Sequence, residues 1–217
     1  EQVMTNSFFA EFEFTLARRG FTYGGGRISP DNQYFYINIP KNASTYLDQR
    51  LSHNGWNIGN SSNGSVAHLT PVVVLRDPVD RWISGITQYL NSFVLNAYNG
   101  RALSAKDFIN QYCEIFERFL FDQVIVDDHT MPQYYFVDDI DLNRAKYFYF
   151  GPTLSDDFVL HFNLDPVVVD QNRRSDNINK RTIATYIQQR LEDSRLLSVI
   201  KTRYARDYEL INQANLP

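Results

Sequence analysis

This chain of 217 residues carries one cysteine, Cys113. A lone thiol excludes an internal disulfide and any cysteine-rich metal centre, and folding needs no oxidising compartment. Cys113 falls in an amphipathic stretch, where a buried structural thiol is the expectation rather than a nucleophile. Histidine is scarce, with four copies that show no metal-ligand spacing. No apolar run approaches the ~20 residues of a membrane-crossing helix, and no signal peptide opens the sequence. A chain that begins at Glu1 rather than Met leaves room for an anchor ahead of it. Positive charge is not in excess: 21 Lys and Arg stand against 25 Asp and Glu, a net −4. That balance excludes a general nucleic-acid binder. Repeats, linkers and low-complexity tracts are missing, and so is a Gly-x-x-x-x-Gly-Lys phosphate loop.

Aromatic residues, by contrast, are plentiful: 16 Phe, 14 Tyr and 2 Trp. Most are expected in the core, and a minority suit a sugar-binding cleft. Charge is unevenly placed. Asp122 to Asp165 holds nine acids and two bases, whereas Pro166 to Arg206 holds nine bases and four acids. Such runs are usually solvated surface, and the second would also suit a polyanionic ligand. Asn60 and Asn63 each open a glycosylation-type triplet, a pattern common by chance.

The length fits a single domain over 1–217, with 1–33 as a lead-in and a core over about 34–212. Gly24-Gly-Gly26 with Pro30 reads as a turn. Tyr34–Ile39 and Val72–Leu75 read as buried parallel strands, Ala145–Phe150 as a third and Val167–Val169 as a fourth. Thr45–His53 reads as a helix closed by Asn54-Gly55, and Asn57–Ser65 as a loop. Asp77 is a good N-cap with Pro78 at the first helical position, and that helix should reach about Asn96. Ser104 opens a further helix with Phe108, Tyr112, Ile115, Phe116 and Phe119 on one face. Ser155 reads as the cap of a short helix, and Thr182–Asn212 as mainly helical. Strands alternating with helices define an α/β class, a mostly parallel sheet flanked by helices.

Two strand-to-helix turns carry the chemistry. In Pro40-Lys41-Asn42-Ala43-Ser44-Thr45, backbone N–H groups from Asn42 to Thr45 can cradle a phosphate-like group, with Lys41 supplying charge. Its bland reading is a turn with an exposed lysine. In Arg76-Asp77-Pro78-Val-Asp-Arg81-Trp-Ile-Ser84, Arg76 leaves a strand end, and Arg81 and Ser84 share a helical face. Arginine offers a planar fork to phosphate oxygens and serine a neutral donor. The bland alternative is that Arg76 or Arg81 pairs with Asp77 or Asp80.

In this order the two motifs resemble those of the sulfotransferases that use 3'-phosphoadenosine 5'-phosphosulfate (PAPS), especially the carbohydrate, chondroitin-type branch. Three later segments are similar more loosely: His129-Thr-Met-Pro132-Gln133, Asn172-Arg173-Arg174-Ser175, and Tyr204-Ala-Arg-Asp207-Tyr-Glu-Leu210. The chondroitin-type cysteines are absent, and Gly85-Ile86 replaces a small-aromatic pair. The resemblance implies a P-loop-like sulfotransferase fold and PAPS as co-substrate, leaving adenosine 3',5'-bisphosphate. It implies that Lys41, Asn42, Ala43, Ser44 and Thr45 hold the 5'-phosphosulfate, and Arg76, Ser84 and Arg173 the 3'-phosphate. Lys41 would be catalytic at the leaving group. An acceptor hydroxyl also needs a base, for which His129 is the candidate, with His68, His53 and Asp128 as alternatives. No metal is required. The implied acceptor is a carbohydrate or glycolipid, while the lone cysteine and the absent chondroitin-type cysteines point to a cytoplasmic location. Two other classes stay open: a non-catalytic anion- or glycan-binding module, and a P-loop-like nucleotide kinase.

Overall fold

A computed structural model describes residues 24–91, 127–165 and 178–216. Several expectations lie outside them: the residues before Gly24, the helix opened by Ser104 with Cys113, the extension of a helix to Asn96, the strand at Val167–Val169, and Arg173. The architecture is mixed α/β. Among the described residues, five strands form one sheet: β1 (Gly25–Ile28), β2 (Tyr34–Ile37), β3 (Asn57–Asn60), β4 (Thr70–Leu75) and β5 (Lys146–Tyr149), in the order β3-β1-β2-β4-β5. β2 pairs parallel with β4, and β4 parallel with β5. β1 runs antiparallel to both β2 and β3. The sheet is therefore less uniformly parallel in its pairing than expected, with two parallel and two antiparallel ladders.

The two unexpected strands have physical reasons. Gly26 in β1 marks a close backbone approach: a Cβ there would lie 1.9 Å from the Tyr36 carbonyl oxygen. The sheet therefore begins inside the expected lead-in. β3, Asn-Ile-Gly-Asn, lies at the sheet edge, where polar residues are tolerated because one flank needs no partner. β4 runs through Pro71, because β5 pairing begins only at Val72.

The helices are α1 (Ser44–His53), α2 (Pro78–Tyr89), α3 (Leu154–Phe162), α4 (Ile178–Arg190), α5 (Ser194–Arg203) and α6 (Ala205–Gln213). Residue 153, not Ser155, stands at the N-cap of α3, and Ser155 instead shares a hydrogen bond with the Tyr46 hydroxyl at 2.7 Å. The described residues divide between two compact units. One, the sheet unit, holds 24–78, 132–165 and 204–216; the other, the helical unit, holds 79–91, 127–131 and 178–203.

In the sheet unit the period of two sorts the side chains. Tyr36, Val72 and Val74 face one way and join Leu47 and Leu51 of α1 with Leu154 and Phe158 of α3 in a buried cluster. Leu47 and Leu51 are four apart, so one stripe of α1 meets the sheet. Arg27 of β1 reaches the same helix and forms a two-pronged ion pair with Asp48, at 2.6 and 2.9 Å. In the helical unit, Ile183 and Ile187 of α4 and Leu196 and Ile200 of α5 are buried at the same spacing. No helix among the described residues is long and apolar enough to cross a membrane.

Candidate functional site

Because β2 and β4 are parallel neighbours, their carboxyl ends lie side by side, where ligands of parallel sheets bind. The turn after β2 carries Lys41 and Ala43 with positive φ, 70° and 61°, while Asn42 between them does not. Left-handed backbone costs a non-glycine residue roughly 1–2 kcal/mol. Alternating φ signs turn successive N–H groups towards one concavity, the geometry of an anion nest. α1 then begins at Ser44 with no side-chain cap and no acidic residue in its first turn. Such a start suits an anionic ligand. Ser44 is half-buried and Thr45 exposed, and neither hydroxyl has a hydrogen-bond partner among the described residues.

Asn42 does something other than present its N–H to a ligand. That N–H donates to the Ile39 carbonyl at 3.2 Å, so the cradle is left to Ala43, Ser44 and Thr45. Its buried side chain donates to the Val74 carbonyl at 2.8 Å and to Gln133 Oε1 at 2.6 Å.

Arg76 directly follows β4, and its guanidinium donates to the Lys41 carbonyl at 2.9 Å while lying 4.3 Å from the Phe150 ring centroid. The two motifs are thus in direct contact. Gln133 ties them more firmly. Its Oε1 accepts from the Arg76 N–H at 2.9 Å and its Nε2 donates to the Arg76 carbonyl at 2.8 Å. A side-chain amide here pairs with the strand end as a peptide group would. Asp207 of α6 completes the network: its carboxylate accepts from the backbone N–H of Gln133 at 2.9 Å and of Tyr134 at 3.0 Å. Asn42, Gln133 and Asp207 are all fully buried. These bracing roles were not legible beforehand; the only signal was that Gln133 and Asp207 stood in segments of family-like spacing.

In the helical unit, His129 lies in a loop with Asp127 and Asp128. Its Nδ1 stands 3.0 Å from a carboxylate oxygen of each, while Asp127 also accepts from the backbone N–H of His129 and Thr130, both at 3.1 Å. Hydrogen bonds to Asp127 and then Asp128 raise the imidazole pKa to about 9, with burial opposing them. The same contact lowers the Asp128 pKa. Nδ1 is committed to the carboxylates, so the neutral ring carries its lone pair on Nε2, which has no hydrogen bond to the described residues. Both carboxylates converge on one imidazole nitrogen, and the three side chains each bring a ligand atom within 4.8 Å of the others, so the cluster is an ion-pair triad whose groups are also close enough to share a metal ion.

α2 shapes this loop. Arg81 is fully buried and donates to the carbonyls of Met131 and of Asp128, the latter at 3.3 Å. It is a clamp, in place of the phosphate fork its spacing to Ser84 suggests. One turn on, a Cβ on Gly85 would lie 2.4 Å from the His129 carbonyl oxygen, so glycine lets helix and loop meet. Ser84 is half-buried and its hydroxyl has no partner among the described residues. The alternative bases His53 and His68 are both exposed.

Comparison of the chain with protein-family models, with curated proteins and with solved structures found no match.

Proposed function

We propose that the chain is a sulfotransferase on a P-loop-like sulfotransferase fold. It would move the sulfuryl group of PAPS in line to a hydroxyl of a carbohydrate or glycolipid acceptor. The observation that carries this reading is the contact between the two anion-type turns, with the Arg76 guanidinium on the Lys41 carbonyl at the ends of neighbouring parallel strands. A ligand with anionic groups at both ends matches two joined turns better than one phosphate would.

The residues divide the work by charge. Lys41 offsets charge on the oxygen released from sulfur, and the N–H groups and hydroxyls of Ser44 and Thr45 hold the 5'-phosphate. Arg76, Ser84 and Arg173 are assigned to the 3'-phosphate by the motif, Arg173 lying outside the described residues. His129 is assigned as base. With its pKa near 9, roughly one ring in a hundred is neutral at pH 7, so the rate should climb towards alkaline pH. The scheme needs no metal.

Calorimetry with adenosine 3',5'-bisphosphate, 5'-AMP and ATP tests the nucleotide. The bisphosphate should bind best, and Arg76→Ala should erase its advantage over 5'-AMP. Tighter binding of ATP, or none of the bisphosphate, overturns the reading. The protonated state of His129 favours one second reading, a non-catalytic anion- or glycan-binding module. It predicts bisphosphate binding with no labelled sulfate transferred to any saccharide.

A further inference from the structure

The turn at Gln133–Phe136 presents two tyrosines on a rigid mount. Gln133 and Phe136 are its buried feet, and Asp207 holds the N–H groups of Gln133 and Tyr134. Tyr134 and Tyr135 stack with ring centroids 4.1 Å apart and planes inclined by 30°. Arg206 of α6 places its guanidinium 4.1 Å from the Tyr134 centroid. Tyr135 is 41% exposed, its backbone N–H donates to the Pro132 carbonyl at 3.3 Å, and its ring stacks on no described residue other than Tyr134. The Tyr134 hydroxyl is pushed up to about 12, first by burial and then by Tyr135, so it remains a donor across the working pH range. The platform follows directly on Gln133, the residue that touches both Asn42 and Arg76. It therefore lies beside the two anion turns, within the sheet unit.

We propose that Tyr135, backed by Tyr134 and flanked by Arg206, is the stacking platform for an acidic acceptor oligosaccharide, an inference that rests on the carbohydrate-transfer reading above. A pyranose ring has one face rich in C–H groups, which packs on an aromatic face, while its hydroxyls reach phenol oxygens. Fixing the two rings before the ligand arrives removes most of the ordering cost of such a contact. Arg206 supplies the charge preference. Its ionic neighbour among the described residues, Asp138, stands 4.0 Å away with both side chains largely exposed, a pair that an acidic sugar can displace. A ring bearing a carboxylate, as in a hexuronate-containing chain, is the chemistry that satisfies both features.

Calorimetry with an unsulfated chondroitin hexasaccharide, and with maltohexaose as its neutral counterpart, tests the platform on the whole chain. Wild type should prefer the acidic sugar. Tyr135→Ala should weaken it roughly tenfold, and Tyr135→Trp should retain it. Arg206→Ala should remove the preference over maltohexaose and flatten the salt dependence. Adenosine 3',5'-bisphosphate, titrated into the same samples, should bind all variants as it binds wild type. Failure of wild type to bind the hexasaccharide, or equal binding by wild type and Tyr135→Ala, overturns the platform whatever the nucleotide does. Tyr135-dependent sugar binding without bisphosphate binding would leave the platform standing and remove the sulfotransferase reading.

Discussion

The polar clusters around Gln133 and around His129 solve the same problem in different ways. The first is fully buried and built from two amides, one carboxylate and main-chain groups. Burial makes each missing partner costly, so the network fixes geometry. It sets the spacing of the Lys41 and Arg76 turns. The second is half-buried, carries three titratable groups and trades protons with solvent; the His129 side chain is 37% exposed. A buried amide brace has no proton to exchange, whereas the half-exposed triad holds one on His129 that leaves as pH rises towards about 9. Where a protein needs fixed distances it uses the first kind, and where it needs a proton it uses the second.

Removing Asp207 is the severest way to break that contrast. Asp207→Ala strands the N–H groups of Gln133 and Tyr134 in the interior. Two hydrogen bonds to a charged group are worth about 1.5–3 kcal/mol each, so urea unfolding should show a loss of about 3–6 kcal/mol. Asp207→Asn keeps an acceptor and should lose less. A cost below about 1 kcal/mol for the alanine variant would mean that the network does not hold the turn. Gln133→Leu, which keeps the volume and removes the amide, should also weaken adenosine 3',5'-bisphosphate, because both turns lose their shared brace.

Much of this contrast was hidden in the sequence. The apolar runs at Tyr34–Ile37 and Val72–Leu75, each followed by a polar turn and a helical stripe, made β2, β4, α1 and α2 legible. Their hydrophobic pattern alone demands a buried sheet with helices against it. β1 and β3 were not legible, because Gly-Gly-Arg-Ile and Asn-Ile-Gly-Asn have the composition of turns and owe their extended form to pairing with each other. Lys41, Ser44, Thr45 and Arg76 stood out only through the two motifs, since a hydroxyl at a helix start is by itself usually a cap. Asn42, Gln133 and Arg81 were harder. Their tasks depend on carbonyls contributed by residues tens of positions away, and no local spacing encodes that.

Gly85→Ala tests the helical unit's side of the comparison. The added methyl would sit 2.4 Å from the His129 carbonyl oxygen, a backbone atom that has no rotamer to escape by. Overpacking of this kind costs typically 1–3 kcal/mol. Thermal unfolding should show the loss, and the His129 NMR titration should shift with it. An unchanged titration would mean that α2 does not set the loop.

Tyr36 offers a smaller effect of opposite sign. Its hydroxyl is buried beneath the sheet without a hydrogen-bond partner, and burial followed by nearby Asp48 raises its pKa. An unpaired buried hydroxyl carries a desolvation penalty of about 1–3 kcal/mol. Tyr36→Phe removes the oxygen and keeps the ring, including its edge contact with Phe158. Urea unfolding should show a gain of about 1 kcal/mol. A loss would show that the hydroxyl is satisfied.

The triad itself should affect stability least. A partly exposed ion pair contributes only about 0–1 kcal/mol, and the sign follows from linkage. His129 titrates near 9 in the folded chain, against an ordinary value of about 6.5 when unfolded. The folded state therefore holds the proton more tightly, and the contribution is complete below about pH 6.5 and lost as pH rises through about 9. The same titration governs reactivity with the opposite consequence, because the neutral ring with its lone pair on Nε2 appears only as stability is lost. Asp127→Asn with Asp128→Asn should bring the imidazole pKa back towards 6.5, read from its NMR titration. If His129 is the base, the acid limb of the rate should move down with it, raising turnover at pH 7 relative to wild type. A limb that stays in place while the imidazole shifts would remove His129 from the chemistry and leave the triad as a structural ion pair.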